Sequence, residues 1–254
     1  MTPSDFHGSR SRVRTAPPVS RRVLLGALGA AAALSAVPRP PAAAAVTTSA
    51  AYPLLTRAQW GADERLRFAA DGTEIWPPQY YPVQTISVHH TGDNIYNPDP
   101  AAWIRSLYRT DVQVDGYGDI GYNYLIDENG RVYEGRWSGT DGTVAHDAAG
   151  RLVTGAHILG YNTGNIGIVL LGTLIDTPAS PAARNALVQL LADLAARHSI
   201  APLGKVVYRN PVSGVSRPAP AIGGHRHWAD TTCPGTLFTA MPAIREEVAD
   251  LIAG

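Results

Sequence analysis

Polar and apolar positions alternate or recur along this chain in patterns that predict most of its secondary structure. Residues 84–90 (QTISVHH) alternate and predict a strand that ends at two histidines. Residues 165–172 (NIGIVLLG) form a nearly continuous apolar run, which is typical of a central strand. Residues 120–135 predict a hairpin, because two apolar segments flank Asn129 and Gly130, a favoured turn pair.

Three segments carry apolar residues at helical spacing, the first of them just after two prolines. Ser180 and Pro181 predict the start of the second helix, which ends near His198, since proline suits the first helical position. The last helix is predicted over roughly 242–252, and the proline- and glycine-containing stretch 205–222 is predicted to be mostly loop. The apolar positions of the three helices are Trp103, Ile104, Leu107 and Tyr108; Leu187, Leu190, Leu191 and Leu194; and Ile244, Val248, Leu251 and Ile252.

Strands that alternate with helices indicate an α/β fold. Residues 51–254 contain no internal repeat and no Pro/Ser-rich linker, and 45% of the whole chain is hydrophobic, enough to bury a core. The sequence therefore predicts one α/β domain with a central mixed β-sheet flanked by helices. Near its start, Thr56 and Gln59 have the spacing of a helix-capping box.

The first 45 residues have the composition of an export signal rather than of a folded domain. Residues 20–37 (SRRVLLGALGAAAALSAV) join an arginine pair to an apolar run that is too short to span a membrane. The pair Arg21 and Arg22 resembles a twin-arginine signal, and an alanine-rich stretch predicts cleavage near Ala45. We therefore expect a signal peptide at 1–45, a domain at 46–254, and secretion to the cell wall; a retained signal anchor is the alternative.

Charge limits the partners of the expected mature protein. The first 45 residues hold six of the 21 basic residues and one of the 21 acidic ones, so the remainder carries 15 basic and 20 acidic residues, a net charge of −5. This charge is a poor match for nucleic acid. We expect no nucleic-acid partner and no stable membrane insertion after processing.

The only cysteine of the chain lies near a group of histidines and raises the possibility of a metal site. Cys233 and His225 are eight residues apart, too far to share an ion on one helix, but a loop that folds back could bring them together. His89, at the end of its predicted strand, is the candidate third ligand. Two imidazoles and one thiolate suit Zn²⁺, and three protein ligands leave a fourth position open for water, as in catalytic sites. Spacing alone leaves coincidence as an alternative.

Five segments together resemble the peptidoglycan recognition protein and zinc N-acetylmuramoyl-L-alanine amidase family. They are LTRAQWGA, ISVHHTG, DIGYNYLIDENGRVYEG, GAHILGYNTGNIGIVLLG and GHRHWADTTCPG, in the family's order and within residues 54–253. The resemblance implies the family's fold and makes His89, His225 and Cys233 the zinc ligands. It also makes His90 a neighbour of the metal rather than a ligand.

The resemblance further implies catalytic roles for Tyr122 and Thr231 and places His157 and Asn162 in the substrate groove. Tyr122 and Tyr124 alternate along a strand, so one of them faces the groove while the other packs in the core; the resemblance selects Tyr122 for the groove. His157 also has a purely structural alternative. The implied reaction is hydrolysis of the amide between N-acetylmuramic acid and L-alanine in peptidoglycan, with muropeptides as substrate. A monomer is the default expectation for the oligomeric state.

Two other functions remain as alternatives. A non-catalytic peptidoglycan-binding module of the same fold is one, although family members of that kind typically lose the ligand cysteine. The other is a structural zinc site, which needs a fourth protein ligand, and only His90 or His227 is nearby in sequence. His227 stands where relatives commonly have aspartate, so it could compete for the metal or bind substrate.

Overall fold

The computed structural model describes residues 52–92 and 98–254, which form ten strands and four α-helices. The strands are β1 (Leu54–Leu55), β2 (Tyr80–Tyr81), β3 (Thr85–His90), β4 (Tyr124–Ile126), β5 (Val132–Glu134), β6 (Leu152–Val153), β7 (Asn165–Leu170), β8 (Lys205–Arg209), β9 (Ser216–Pro220) and β10 (Ile222–Gly224). The helices are α1 (Arg57–Trp60), α2 (Pro100–Gln113), α3 (Pro181–His198) and α4 (Thr236–Ala253). The predicted signal peptide of residues 1–45 lies outside the described residues.

Six strands form one mixed sheet in the order β1-β5-β4-β7-β3-β10. Only the β4–β5 hairpin is antiparallel, and the other neighbours run parallel. β7 is central, as its continuous apolar sequence predicts, because strands with two covered faces need apolar residues at every position. The predicted α/β fold with a central mixed sheet and flanking helices is confirmed.

One face of the sheet is covered by α3 and α4. Inward-facing positions of β3 and β7, such as Ile86, Val88 and Ile168, are fully buried in one cluster with the leucine stripe of α3. The α3 boundaries match the prediction: the Ser180 hydroxyl accepts from the Ala183 amide, and the helix ends at His198. Packing on this apolar face holds the sheet in place. The alternate residues of β3 therefore point to the opposite face of the sheet.

The opposite face is covered by α1 and α2 over only part of its area. Trp60 and Tyr108 pack there against Leu125 and Val169. Further along the same face, the cross-strand neighbours Ser87 and Gly167 carry almost no side-chain volume. The uncovered part of this face therefore has room for the side chains of a site, and His89 lies beside it, opposite Val169.

Local turn and cap predictions are also confirmed. Thr56 and Gln59 form both bonds of the capping box at the start of α1. Gly130, in the β4–β5 turn, has a φ of 79°, a left-handed conformation that costs glycine little.

Two predicted segments are wrong in their details. α4 begins at Thr236 rather than near 242, because buried Leu237 and Met241 extend its apolar stripe to the N-terminal side of Pro242. Its last turn is not fully covered, since Leu251 and Ile252 are 47% and 40% exposed.

Residues 205–222 are not mainly loop, because they form the antiparallel hairpin β8–β9. Tyr208 anchors the hairpin: its side chain is buried and its hydroxyl donates to the Thr163 carbonyl at 2.8 Å. Pro218 and Pro220 fit in β9 because a two-stranded sheet leaves one edge of each strand without a partner to donate to. Among the described residues, no helix combines the length and the apolar character that a membrane crossing requires.

Candidate active site

His89 owes its position to the strand that carries it. β3 is buried along its whole length, and β10 pairs with it as far as Val88 while β7 pairs with it as far as His90, so the backbone that leads to His89 is held on both sides. The His89 side chain is 1% exposed and points to the face that α1 and α2 leave partly uncovered. A rigid strand end is therefore the platform for the first predicted ligand.

His225 and Cys233 reach the same place from the neighbouring strand. β10 runs parallel to β3 and leads directly into a 3₁₀ turn at His225–His227. The chain then folds back: the Arg226 guanidinium donates to the carbonyls of Thr231 and Thr232, each at 3.0 Å. These bonds tie the return loop to the turn, which explains how two residues eight positions apart meet.

Three potential ligand atoms converge at this point. One side-chain donor from each of His89, His225 and Cys233 lies within 4.8 Å of the other two. The Cys233 sulfur is 3.7 Å from Nδ1 of His89, and the rings of His89 and His225 are 4.7 Å apart between centroids. Within the described residues this is the one group of three or more His, Cys, Asp or Glu side chains with such geometry.

The environment keeps both imidazoles neutral. Burial lowers the pKa of His89 well below its usual value, and the nearby His157 and His225 lower it further. Burial also lowers the pKa of His225. Burial raises the pKa of the Cys233 thiol to about 11, although the His90 amide, which donates to the sulfur at 3.4 Å, acts in the opposite direction. Without a cation this thiol stays protonated at neutral pH.

The donor set fits a zinc ion. Neutral imidazole nitrogens and a sulfur are the ligands that Zn²⁺ accepts in tetrahedral sites, and a divalent cation would displace the thiol proton. Neither His90 nor His227 belongs to the converging group in the described part of the chain. Nδ1 of His90 accepts from the Leu174 amide. The His227 ring packs against that of Phe238, with 4.8 Å between the ring centroids. Three side-chain donors leave one position of a tetrahedral ion for another ligand.

A groove of about 430 Å³ opens beside these residues, a size typical of small-ligand sites. His225 lines this groove together with Tyr122, His157 and Asn162. The Tyr122 ring lies 5.3 Å from that of His89. The following core position, Tyr124, is 3% exposed and its hydroxyl donates to the Val144 carbonyl at 2.8 Å. The structure thus places Tyr122 in the groove and Tyr124 in the core.

A buried ion cluster fixes the segment that carries Tyr122. The fully buried Asp119 carboxylate accepts from the guanidinium groups of Arg57 at 3.0 Å and Arg136 at 2.7 Å. It also accepts from the amides of Ile120 and Trp137. Since both carboxylate oxygens are satisfied, the charge is compensated, and the backbone two residues before Tyr122 is held on several sides.

The two predicted substrate-binding residues have internal contacts as well as groove exposure. The Asn162 side-chain oxygen accepts from the amides of His157 and Ile158, at 2.8 and 2.7 Å, and so shapes the loop between them. His157 is 8% exposed and contacts His89 directly. The Thr231 hydroxyl accepts from the Cys233 amide at 3.2 Å. The catalytic or binding roles of these residues remain predictions.

Asp111 is a groove residue that sequence reasoning missed. It lies on α2, lines the groove, and is only 6% exposed, while its Oδ2 accepts from the Gly121 amide at 2.8 Å. Burial raises the pKa of this carboxyl to about 7; the Gly121 amide lowers it, and the carboxylates of Asp115 and Asp119 raise it. Asp111 lies among other polar residues near the end of α2, so no sequence pattern distinguishes it as a groove residue.

Asp111→Asn is expected to stabilise the metal-free protein above neutral pH. The pKa of Asp111 is higher in the folded than in the unfolded protein, so the carboxyl ionises at lower pH when the chain is unfolded. Ionisation therefore favours the unfolded state, and the wild type loses stability as pH rises from about 4 to 7. Asparagine keeps an acceptor for Gly121 and has no charge to desolvate. We expect a gain of about 1–2 kcal/mol in unfolding free energy at pH 8 and almost none at pH 4.

Denaturant unfolding across this pH range, with chelator present throughout, measures the difference. The exposed Asp250→Asn on α4 is the control, because its carboxylate is not among those that shift the Asp111 pKa, and it should change the unfolding free energy by less than about 0.5 kcal/mol at every pH. An equal effect of Asp111→Asn at pH 4 and pH 8 would show that ionisation of this carboxyl does not limit stability.

The fold is that of the peptidoglycan recognition proteins. The structure aligns with Drosophila PGRP-LB at a TM-score of 0.54 and 24% identity, over 76% of this chain and 94% of that one. It also aligns with the amidase LysC of Clostridium intestinale at a TM-score of 0.52 and 19% identity, over 77% and 96% of the two chains. At these identities the likeness concerns the fold alone.

Sequence similarity defines the family. Residues 79–236, more than half of the chain, match the N-acetylmuramoyl-L-alanine amidase family, and the chain belongs to it. It is 32% identical to peptidoglycan-recognition protein SC2 of Drosophila melanogaster over 187 residues, which are 72% of this chain and 80% of that protein. It is 31% identical to a human N-acetylmuramoyl-L-alanine amidase over 162 residues, 61% of this chain but only 23% of the human protein. The family resemblance inferred from the sequence motifs is confirmed.

Proposed function

We propose that this chain is an exported zinc hydrolase that cleaves the amide between N-acetylmuramic acid and L-alanine in bacterial peptidoglycan. The observation that carries the proposal is the convergence of His89, His225 and Cys233 beside a groove that His225 and Tyr122 line. A protein that only binds peptidoglycan needs the groove. It does not need two neutral imidazoles and a thiol that together leave the fourth coordination position of a metal ion open.

The substrate class is supported by relatives. A human relative carries the name N-acetylmuramoyl-L-alanine amidase. A Tyr-to-Phe mutant of Drosophila PGRP-LB, 25% identical at a TM-score of 0.54, has been solved with tracheal cytotoxin, a monomeric diaminopimelic acid-type peptidoglycan. Peptidoglycan and its soluble fragments are therefore the ligands to test first.

We assign the side chains of the groove to two roles, namely shaping the binding surface and taking part in the reaction. Asn162 holds the loop at 157–162 in shape, so that the groove wall is formed before substrate arrives. The Tyr122 hydroxyl is the donor that would stabilise the scissile carbonyl oxygen as it becomes negative. Thr231 can donate its hydroxyl proton while its oxygen accepts from the Cys233 amide.

His89, His225 and Cys233 would hold the zinc ion. Such an ion supplies a Lewis acid for the carbonyl and lowers the pKa of a bound water towards neutrality. The chain contributes two ligands that burial keeps neutral and a third that the cation must deprotonate. Zinc affinity should consequently fall as the solution becomes more acidic.

We also propose that the protein acts outside the cytoplasm as a monomer. The arginine pair and apolar run of residues 20–37 support export through a twin-arginine-type signal, with cleavage near Ala45. The expected mature net charge of −5 gives no support for a nucleic-acid partner.

A peptidoglycan digestion assay tests the enzymatic proposal. Purified protein without residues 1–45 is incubated with peptidoglycan, and free L-alanine amino termini are quantified with zinc, with chelator, and with zinc restored after chelation. We expect release with zinc, loss with chelator, and recovery on restoration.

The assay also separates the enzyme from a binding module. Sedimentation with cell wall but no new amino termini under any condition would favour a non-catalytic peptidoglycan-binding protein. Release that chelator leaves unchanged would contradict a metal-dependent mechanism.

A further inference from the structure

His157 occupies a slot that the sequence builds for its ring. The ring lies directly on the backbone of Gly167 in β7, where an added Cβ would be 2.6 Å from Nε2 of the imidazole. On another side, a Cβ at Gly155 would be 3.1 Å from the ring. Two glycines therefore leave the space that this imidazole fills, and a glycine inside the apolar run of β7 has a physical reason.

Hydrogen bonds in this slot assign the proton positions of two histidines. Nε2 of His157 lies 3.1 Å from the Asn165 carbonyl oxygen, which can only accept, so Nε2 carries the hydrogen. In a neutral ring Nδ1 then has a lone pair. Nε2 of His89 lies 3.1 Å from that nitrogen and so must be the donor.

The same reasoning continues to the metal ligands. Since Nε2 of His89 holds the hydrogen, its Nδ1 has the lone pair, and this nitrogen is the atom 3.7 Å from the Cys233 sulfur. The Asn165 carbonyl holds the His157 proton on Nε2, so Nδ1 of this ring is left to accept from His89. One unbroken chain of hydrogen bonds thus leads from the Asn165 carbonyl to the ligand nitrogen of His89.

We propose that His157 is a positioning residue for the metal centre, which fixes the tautomer and orientation of His89 by accepting its Nε2 proton. This rests on the proposed function, because it assumes a cation bound by His89, His225 and Cys233. It gives His157 a role beyond the substrate contact that the sequence predicts. Partners of this kind around a ligand histidine usually contribute 10–100-fold to metal affinity.

Isosteric variants separate the two hydrogen bonds of His157. In His157→Asn the side-chain oxygen falls near the position of Nδ1 and can accept from His89, whereas in His157→Gln the side-chain amide reaches towards Asn165 instead. The experiment measures the Zn²⁺ dissociation constant of each purified variant by chelator competition, with folding checked by circular dichroism. We expect His157→Ala and His157→Gln to bind zinc about 10–100-fold more weakly and His157→Asn to remain within about fivefold of the wild type.

Each other outcome overturns the inference in an identifiable way. Unchanged zinc affinity in all three variants would leave the zinc site intact and reduce His157 to a substrate contact. Equal weakening in all three would indicate lost packing rather than a lost acceptor. Failure of the wild type to bind zinc would contradict the proposed function as well.

Nitrogen NMR gives a readout that does not depend on any variant. The ¹⁵N shifts of the His89 ring in the zinc-loaded protein should show a protonated Nε2 and a metal-bound Nδ1. A protonated Nδ1 would contradict the assignment directly.

Discussion

Cys233→Ser is expected to abolish zinc binding at micromolar metal and to lower peptidoglycan hydrolysis by about a thousandfold or more. Serine has nearly the same shape as cysteine, but its hydroxyl does not ionise near neutral pH and is a poor zinc ligand. A bound zinc ion contributes several kcal/mol to transition-state stabilisation, and each 1.36 kcal/mol is about tenfold in rate. Metal content and release of L-alanine amino termini, both on the purified variant, measure the two effects.

A second substitution at the same position serves as the control. Cys233→Asp offers a carboxylate oxygen, which zinc also accepts, so this variant should retain part of the metal and part of the activity. Both replacement side chains carry an oxygen that can accept from the His90 amide, so a difference in metal content between them reports on the zinc ligand rather than on this hydrogen bond. Full activity in Cys233→Ser would mean that the thiol is not part of the mechanism.

Tyr122→Phe should lower kcat by 10²–10³-fold while zinc content and sedimentation with peptidoglycan stay unchanged. The ring remains beside His89, and only the hydroxyl that would stabilise the carbonyl oxygen is lost. Losing one such donor typically costs 10²–10³-fold in kcat. Steady-state kinetics on a soluble muropeptide separate this loss from any change in KM.

Tyr124→Phe is the matched control for this prediction. It removes a hydroxyl that donates to the Val144 carbonyl in the core, so it should cost about 1 kcal/mol of stability and leave kcat unaltered. A Tyr122→Phe variant with the kcat of the wild type would contradict the role that we give this hydroxyl.

The sequence predicts the parts of the fold that depend on local pattern. The β4–β5 hairpin, α3 and the capping box at Thr56 follow from turn pairs, apolar spacing and caps, and the structure has all three. α4 and the β8–β9 hairpin were predicted less well: the sequence placed the start of α4 near 242, and the prolines and glycines of 205–222 favoured a loop. Tertiary burial of Leu237 and Tyr208 overrides that local signal.

The sequence predicted those site residues that are rare in the chain or belong to a recognisable motif, and it did not predict the others. A single cysteine near two histidines suggests a metal, and the family motifs select His89 over its neighbour. The contact between His89 and His157 joins residues 68 positions apart and leaves no periodic signal. Gly167, an isolated glycine in an apolar strand, was the one local hint of the slot that holds this ring.

X-ray absorption at the zinc edge of the metal-loaded protein tests the central claim most directly. The account predicts one zinc per chain with a single sulfur at about 2.3 Å, imidazole nitrogens at about 2.0–2.1 Å, and one further oxygen in a four-coordinate shell. A shell without sulfur, or one filled by three imidazoles and the sulfur, would contradict a three-ligand site formed by His89, His225 and Cys233.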